Sequence, residues 1–283
     1  MNVAPDMPPR LEAHGIHVRH GPGCDRCLTG AGPEQGNRCG ACGTVHAVRQ
    51  VDVQAFDGEV LGIVGESGSG KSSLLRTLAL EQAPSAGTYL IREDGPDDHQ
   101  NRFDASDQAI RRLRNETIGL VRQHAHETLR MRLSATGNIA ETMLAAGHRH
   151  VGRMRERAAG LLDDVSIARD RHLDAPATFS GGMQQRVQIA RAIANNPPVL
   201  LLDEVTTGLD LSVQARVLDL IQRIQRERQM TVILVSHDLA VVRMLADRTL
   251  VMRHGQVIEH GLTDRILEDP HMPYTQELVQ SLL

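Results

Sequence analysis

The nine residues Gly65-Glu66-Ser67-Gly68-Ser69-Gly70-Lys71-Ser72-Ser73 place glycine, lysine and hydroxyl groups at the spacing G-x-x-x-x-G-K-[ST], from Gly65 to Ser72. Glycines let backbone N–H groups turn inward around phosphate oxygens, and a helix beginning near Lys71 adds the positive end of its dipole. Lys71 is expected to reach the β and γ phosphates of a nucleoside triphosphate, and the Ser72 hydroxyl to ligate Mg²⁺. A tight turn alone would not need the lysine and the hydroxyls, nor an apolar run such as "EVLGIVG" immediately before it.

A second constellation is "PVLLLDE", residues 198–204. Its apolar residues drive a buried strand and set Asp203 at the strand's end, placed to hold Mg²⁺ through water. Glu204 beside it can polarise an attacking water. A helix cap or a solvent-facing loop would use the same two acids, but the phosphate loop upstream favours the catalytic reading. In "TFSGGMQQRVQIARAIANNP", Ser180, Gly181 and Gly182 precede an amphipathic helix and offer another anion site at its N-terminus. One triphosphate needs one cradle. The economical explanation is a composite site in which this segment closes over a phosphate held by another nucleotide domain; a plain serine N-cap is the simpler one.

The chain's four cysteines form C-x₂-C-x₁₁-C-x₂-C at Cys24, Cys27, Cys39 and Cys42. Two chelating pairs suit a tetrahedral Zn²⁺. An iron centre and redox or unliganded thiols are the alternatives. Either way the quartet reads as an insertion over 21–43 that serves stability or docking rather than the nucleotide chemistry.

The elements that must carry these residues are legible in outline. Short apolar runs at 59–65, 198–204 and 231–238 alternate with helical spacing in "KSSLLRTLAL" and "LSVQARVLDLIQRIQRER", which indicates α/β architecture. Residues from about 100 to 178 lack comparable strand runs and read as a helical subdomain. "VMRHGQVIEHG" suggests a hairpin, and 266–283 a C-terminal helical tail. The 283 residues carry a formal charge of -4 with 41% hydrophobic and 23% charged residues, so bulk charge does not favour direct nucleic-acid binding. No long apolar span or leader is evident, and a cytoplasmic location is expected. In that reducing compartment paired cysteines are not expected to be disulfides.

In order along the chain, "GESGSGKSS", Gln123 in "GLVRQH", "FSGGMQQR", "LLLDE", Asp210 in "TGLD" and His237 in "VSHD" resemble the ATP-binding cassette family over about residues 11–265. The resemblance implies an ATP-hydrolysing nucleotide-binding domain in which Gln123 senses Mg²⁺ and water and His237 touches the γ-phosphate. It also implies that Asp210 couples facing sites, that Gln184 belongs to the nucleotide-contacting segment, and that domains pair head to tail, with a second copy or a related subunit. Two departures stand out. Val205-Thr206 replace the usual Pro-Thr after the glutamate, with Thr207 where a small residue is common, so the turn is expected to loosen without loss of hydrolysis. Where relatives stack an aromatic on adenine, this chain offers His20, which contacts the base weakly or lies free on the surface.

The tail "GLTDRILEDPHMPYTQELVQSLL" resembles dipeptide, oligopeptide and nickel uptake ATPases, which act through a membrane partner. After Gln123, however, "QHAHETLRMRLSATGNIAETMLAAGHRH", with "TGLDLSVQARVLDL", is similar to the ATP-binding subunit of the bacterial carbon–phosphorus lyase system for phosphonate breakdown. That implies association with the soluble lyase core subunits, whose radical chemistry lies elsewhere. Residues 124–138 are the expected coupling surface; His124, His126 and Glu127 read as protein contact or solvent-exposed groups rather than a metal site. A non-catalytic assembly module is the least favoured class, because Lys71, Asp203, Glu204 and His237 are all present.

Overall fold

The computed structural model describes residues 8–27, 36–93 and 100–280. In chain order, β1 (Leu11–His20), β2 (Val45–Ala55), β3 (Val60–Val64), α1 (Lys71–Leu78) and β4 (Ala86–Ile91) come first. Then follow α2 (Asp107–Arg112), β5 (Ile118–Val121), α3 (Ala135–Ala145), α4 (Val151–Asp164), α5 (Gly181–Ala192), β6 (Val199–Asp203) and α6 (Leu211–Arg228). The chain ends with β7 (Thr231–Val235), α7 (Leu239–Leu245), β8 (Arg248–Arg253), β9 (Gln256–Leu262), α8 (Thr263–Glu268) and α9 (Pro273–Gln280). Contacts divide it into two compact units, one made of the described residues up to Ser106 and from Thr231 onward, the other of Asp107–Met230.

In the first unit β3 lies between β7 and β8, parallel to both, with Ile63 opposite Val235 and Leu250. All five residues of β3 and of β7 are buried, as strands covered on both faces require. β8 turns back into antiparallel β9, the expected hairpin. A separate antiparallel sheet runs β2-β1-β4. β1 buries Leu11 and Ala13, then Ile16 and Val18. The extra residue falls at Gly15, whose φ of 60° and N–H bond to Asp52 Oδ1 (2.7 Å) mark a bulge. That bulge breaks the alternation, so the sequence of β1 shows no clean strand pattern.

In the second unit β5 and β6 pair in parallel, Val121 opposite Leu202. Within the region read as a mostly helical subdomain, β5 is a strand only four residues long, too short to stand out from its charged surroundings. α3, α4 and α5 bury Ile139, Met143, Leu161, Leu162, Val187 and Ile189. α6 buries Val217, Leu218, Leu220, Ile221 and Ile224 at three- and four-residue spacing, the stripe read from its sequence. Beyond β9 the described residues form α8 and α9, and residues 281–283 of the proposed tail lie outside the described residues. No helix among the described residues is long and apolar enough to cross a membrane.

Candidate nucleotide site and cysteine cluster

In the first unit, the loop between β3 and α1 folds around the Lys71 ammonium. Its Nζ donates to the carbonyls of Gly65 (2.7 Å) and Glu66 (2.8 Å) and to Ser69 Oγ (3.4 Å), and only 4% of the residue is exposed. Glycine is required where the loop approaches other backbone: a Cβ on Gly70, at φ 107°, would lie 2.0 Å from the Ala47 carbonyl oxygen, and one on Gly65 2.2 Å from that of Met252. At the tip, a Cβ on Gly68 would meet nothing within 4 Å. Glu66, Ser67 and Gly68 face solvent, Ser72 and Ser73 are half-buried in the first turn of α1, and Gly70 caps that helix with no side-chain bond. An open tip, a buried cation and a helix N-terminus presented by backbone fit a bound triphosphate with its Mg²⁺.

His237 is exposed just beyond β7, where Ser236 N–H donates to the Ile63 carbonyl (3.1 Å). It therefore leaves its strand at the same end from which the phosphate loop leaves β3. His20 is exposed at the end of β1, opposite Val45.

Sequence reasoning overlooked Tyr274. This residue of α9 is 5% exposed, its hydroxyl accepts the N–H of Glu66 (3.0 Å), and Arg253 lies over its ring at 4.7 Å. Burial raises the phenol's pKa. The C-terminal tail is thus tied to the phosphate loop, a contact 208 residues apart in sequence that no local pattern announces.

In the second unit, the β5–β6 register sets Gln123 level with Glu204, and Gln123 Nε2 donates to Glu204 Oε2 (3.1 Å). Thr207 Oγ1 donates to the same oxygen (3.3 Å), and its N–H to the Glu204 carbonyl (3.1 Å). Glu204 itself has φ 47°, a left-handed conformation that non-glycine residues adopt at a cost. Val205 is 2% exposed, so where proline would fix the turn this chain closes it with a buried side chain and the Thr207 bonds. Asp203 ends β6 half-buried. Gln188 of α5, with its amide oriented to satisfy its partners, accepts from the N–H of Arg122 (3.1 Å) and donates to its carbonyl (3.0 Å), anchoring the residue before Gln123.

Ser180 caps α5, its Oγ accepting from the Met183 N–H (3.3 Å), and is exposed together with Gly181. Gly182 is buried; a Cβ there would lie 2.3 Å from Val213 Cγ1, so this glycine lets α5 approach α6. Gln184 turns its amide back onto the carbonyls of Pro176 (3.0 Å) and Phe179 (3.2 Å). Asp210 caps α6 and accepts from the hydroxyl of Ser212 (2.7 Å) and the N–H groups of Ser212 and Val213, which hold its carboxyl below the usual range. Beyond Gln123, the rings of His124 and His126 stack at 5.4 Å while Glu127 pairs with Arg122 (3.3 Å). Further on, an open groove of about 750 Å³ runs between residues 130–133 and α3.

The four cysteine sulfurs converge in the first unit, all within 4.8 Å of one another. Cys27 and Cys39 are buried, Cys42 is half-buried and Cys24 exposed. Their acidities diverge. The Thr44 hydroxyl brings Cys42 down to about 6, and hydrogen bonding with Cys42 pushes Cys24 up to about 12. Burial raises Cys27, and the Cys42 N–H lowers Cys39.

Residues 48–207 match the family described as ABC transporter, and the chain belongs to that family as an ATP-hydrolysing ATP-binding cassette. It is 48% identical over 233 residues to the protein named as the phosphonates utilization ATP-binding protein PhnK of Escherichia coli strain K12, a match covering 82% of this chain and 90% of that protein. A methionine import ATP-binding protein, MetN of Streptococcus pneumoniae serotype 4, is 37% identical over 84% of this chain and 65% of its own length. The oligopeptide transport protein OppD of Bacillus subtilis is 36% identical over 85% and 67%. Among solved structures, the dimeric ATP-binding cassette MJ0796 with ADP and Pi superposes with a TM-score of 0.74 at 27% identity, over 89% of this chain and 98% of that one.

Proposed function

We propose that this chain is the ATP-hydrolysing subunit that couples ATP turnover to the soluble carbon–phosphorus lyase complex of phosphonate degradation. One observation carries the reading: similarity at 48% identity to PhnK extends over 90% of that protein, whereas the importer ATPases match over about two thirds of theirs. Gly65–Ser73 would cradle the phosphates with Lys71, while Ser72, Asp203 and Gln123 would hold Mg²⁺, directly or through water. Bound there, Mg²⁺ would neutralise charge building on the phosphoryl oxygens. Glu204, oriented by Gln123 and Thr207, would take the proton of the attacking water, His237 would hold the γ-phosphate, and His20 would lie against the base. Ser180, Gly181, Gly182 and Asp210, with Gln184 bracing their loop, would serve the nucleotide of a paired domain. The cysteine quartet would hold a structural Zn²⁺.

The groove beside α3 is the docking surface of this proposal. It is lined by Met131, Leu133 and Leu144, with Leu133 and Leu144 exposed at 38% and 46%, and carries the Arg130–Glu141 ion pair at 2.6 Å. Leu144→Asp is expected to abolish co-purification with the lyase core while leaving basal ATP hydrolysis intact. Recovery of a polytopic permease in place of lyase subunits would favour the importer reading, which the similarity to MetN and OppD supports.

A further inference from the structure

Where the chain leaves β1 and enters β2, neighbouring cysteine sulfurs stand 3.7 Å (Cys24–Cys27), 3.8 Å (Cys24–Cys39) and 3.4 Å (Cys27–Cys42) apart. Ligands about 2.3 Å from a tetrahedral zinc stand about 3.8 Å from one another. A disulfide would draw two sulfurs to about 2.0 Å, and an iron–sulfur cluster would spread all four around a core several ångströms across. The observed spacing matches a single ion. Charge is complementary as well, because four thiolates on Zn²⁺ leave a net negative centre. The Arg19 guanidinium lies 2.8 Å from where a Gly23 Cβ would be, and that of Arg38 3.7 Å from the same position at Gly43.

We infer that these cysteines hold one Zn²⁺ whose occupancy sets the affinity of the phosphate loop for nucleotide; the coupling rests on the ATP-binding role proposed for that loop. The connection is a short stretch of buried backbone. Thr44, with no exposed surface, has its hydroxyl 3.2 Å from Cys42 Sγ and accepts there the N–H of Gly23 (2.9 Å), while its carbonyl accepts that of Cys39 (2.8 Å). His46 N–H then donates to the Asn37 carbonyl (2.7 Å). From the same stretch, the Ala47 carbonyl abuts Gly70, and Arg49 N–H donates to the Gly255 carbonyl (2.7 Å), whose own N–H donates to Ser69 O (2.8 Å). One end of the bracket 44–49 is therefore fixed by the cysteine quartet and the other by Ser69 and Gly70 of the phosphate loop. On the β1 side, the quartet follows His20 by four residues. An ion that joins both segments fixes the floor of the loop; its loss releases that floor. Thermodynamic reciprocity requires nucleotide to tighten zinc binding by the same factor by which zinc tightens nucleotide binding.

The test uses the full chain. Elemental analysis of the purified protein should return one zinc per chain, and cobalt exchanged into the site should show the visible bands of a tetrahedral thiolate complex. Zinc withdrawn by an organomercurial and a chelator should raise the dissociation constant for ADP about fivefold or more, the scale of coupled sites, and zinc added back should restore it. ADP should tighten zinc binding in a chelator competition by that same factor. Cys42→Ser reports the same effect independently of the chemical treatment. Less than one metal per chain, or iron with labile sulfide, would overturn the zinc site; equal ADP affinity with and without zinc would overturn the coupling. If zinc-loaded protein binds no ADP, the role assigned to the loop fails and the coupling with it, while the ion count stands.

Discussion

At Glu204 one carboxylate oxygen receives bonds from both Gln123 and Thr207, and the backbone carrying it is left-handed. Such a conformation persists only where surrounding bonds over-determine it. Glu204→Gln keeps the shape but removes the proposed proton acceptor, so steady-state ATP hydrolysis should fall about 10²-fold or more while ATP binding, measured by equilibrium titration, is retained. Thr207→Val removes one bond to the acid and leaves Gln123 in place. A loss of about 1 kcal/mol in orientation predicts a kcat lower by roughly fivefold with KM nearly unchanged. Equal rates in Thr207→Val and the parent would show that this hydroxyl does not position the carboxylate.

Among the elements, β1 and α9 carry consequences that their sequences hide. His17 Nε2 and His46 Nδ1 share a 2.9 Å hydrogen bond across β1 and β2, and His46 Nε2 is buried with no partner among the described residues. Burial lowers the pKa of both rings, and Arg19 and Arg49 lower each further, as does His46 for His17. Folded pKa values below 6.5 mean that the unfolded chain takes up protons first as pH falls. Stability is therefore full above that value and declines below it, through the lowered folded values. Melting temperature should drop from pH 8 to pH 5, and His17→Gln should flatten the drop. For α9, Tyr274→Phe removes the acceptor for the Glu66 N–H and should weaken ADP binding about fivefold, the equivalent of about 1 kcal/mol; an unchanged affinity would make the tail a packing element only. Phosphate loop, β6 and α6 were legible because their signal is local: a fixed spacing of glycine and lysine, an unbroken apolar run, a three-four stripe. β1 was obscured by its bulge at Gly15, β5 by its length, and Tyr274 by a contact that depends on the completed chain.

For the whole molecule, the property that bears on the proposed function is that two helices of one chain, α1 and α5, open on glycine-rich N-termini, each proposed above to meet a nucleotide. The phosphate loop opens α1 under a glycine cap, and Ser180 with Gly181 opens α5 facing solvent. A single triphosphate fills one. The related cassette MJ0796 is dimeric with ADP and Pi, and an exposed Ser180 segment is what a head-to-tail partner would meet. On the proposed reading, apo protein would gain little from pairing, because two empty N-termini would bring only solvated donors together, whereas bound ATP would supply the negative charge that both would attract. Hydrolysis followed by release of phosphate would remove that bridge, so the paired state should accumulate only when turnover is blocked. With Mg²⁺ and ATP, Glu204→Gln should therefore double its mass in light scattering, while the same protein with ADP remains a single chain. Ser180→Arg, which fills the cap with a bulky cation and leaves Lys71 untouched, should bind ATP normally yet stay single under the same conditions. If Ser180→Arg pairs as readily as its parent, the α5 cradle does not face the partner's nucleotide, and pairing through a related ATP-binding subunit becomes the form to test by mixing the two.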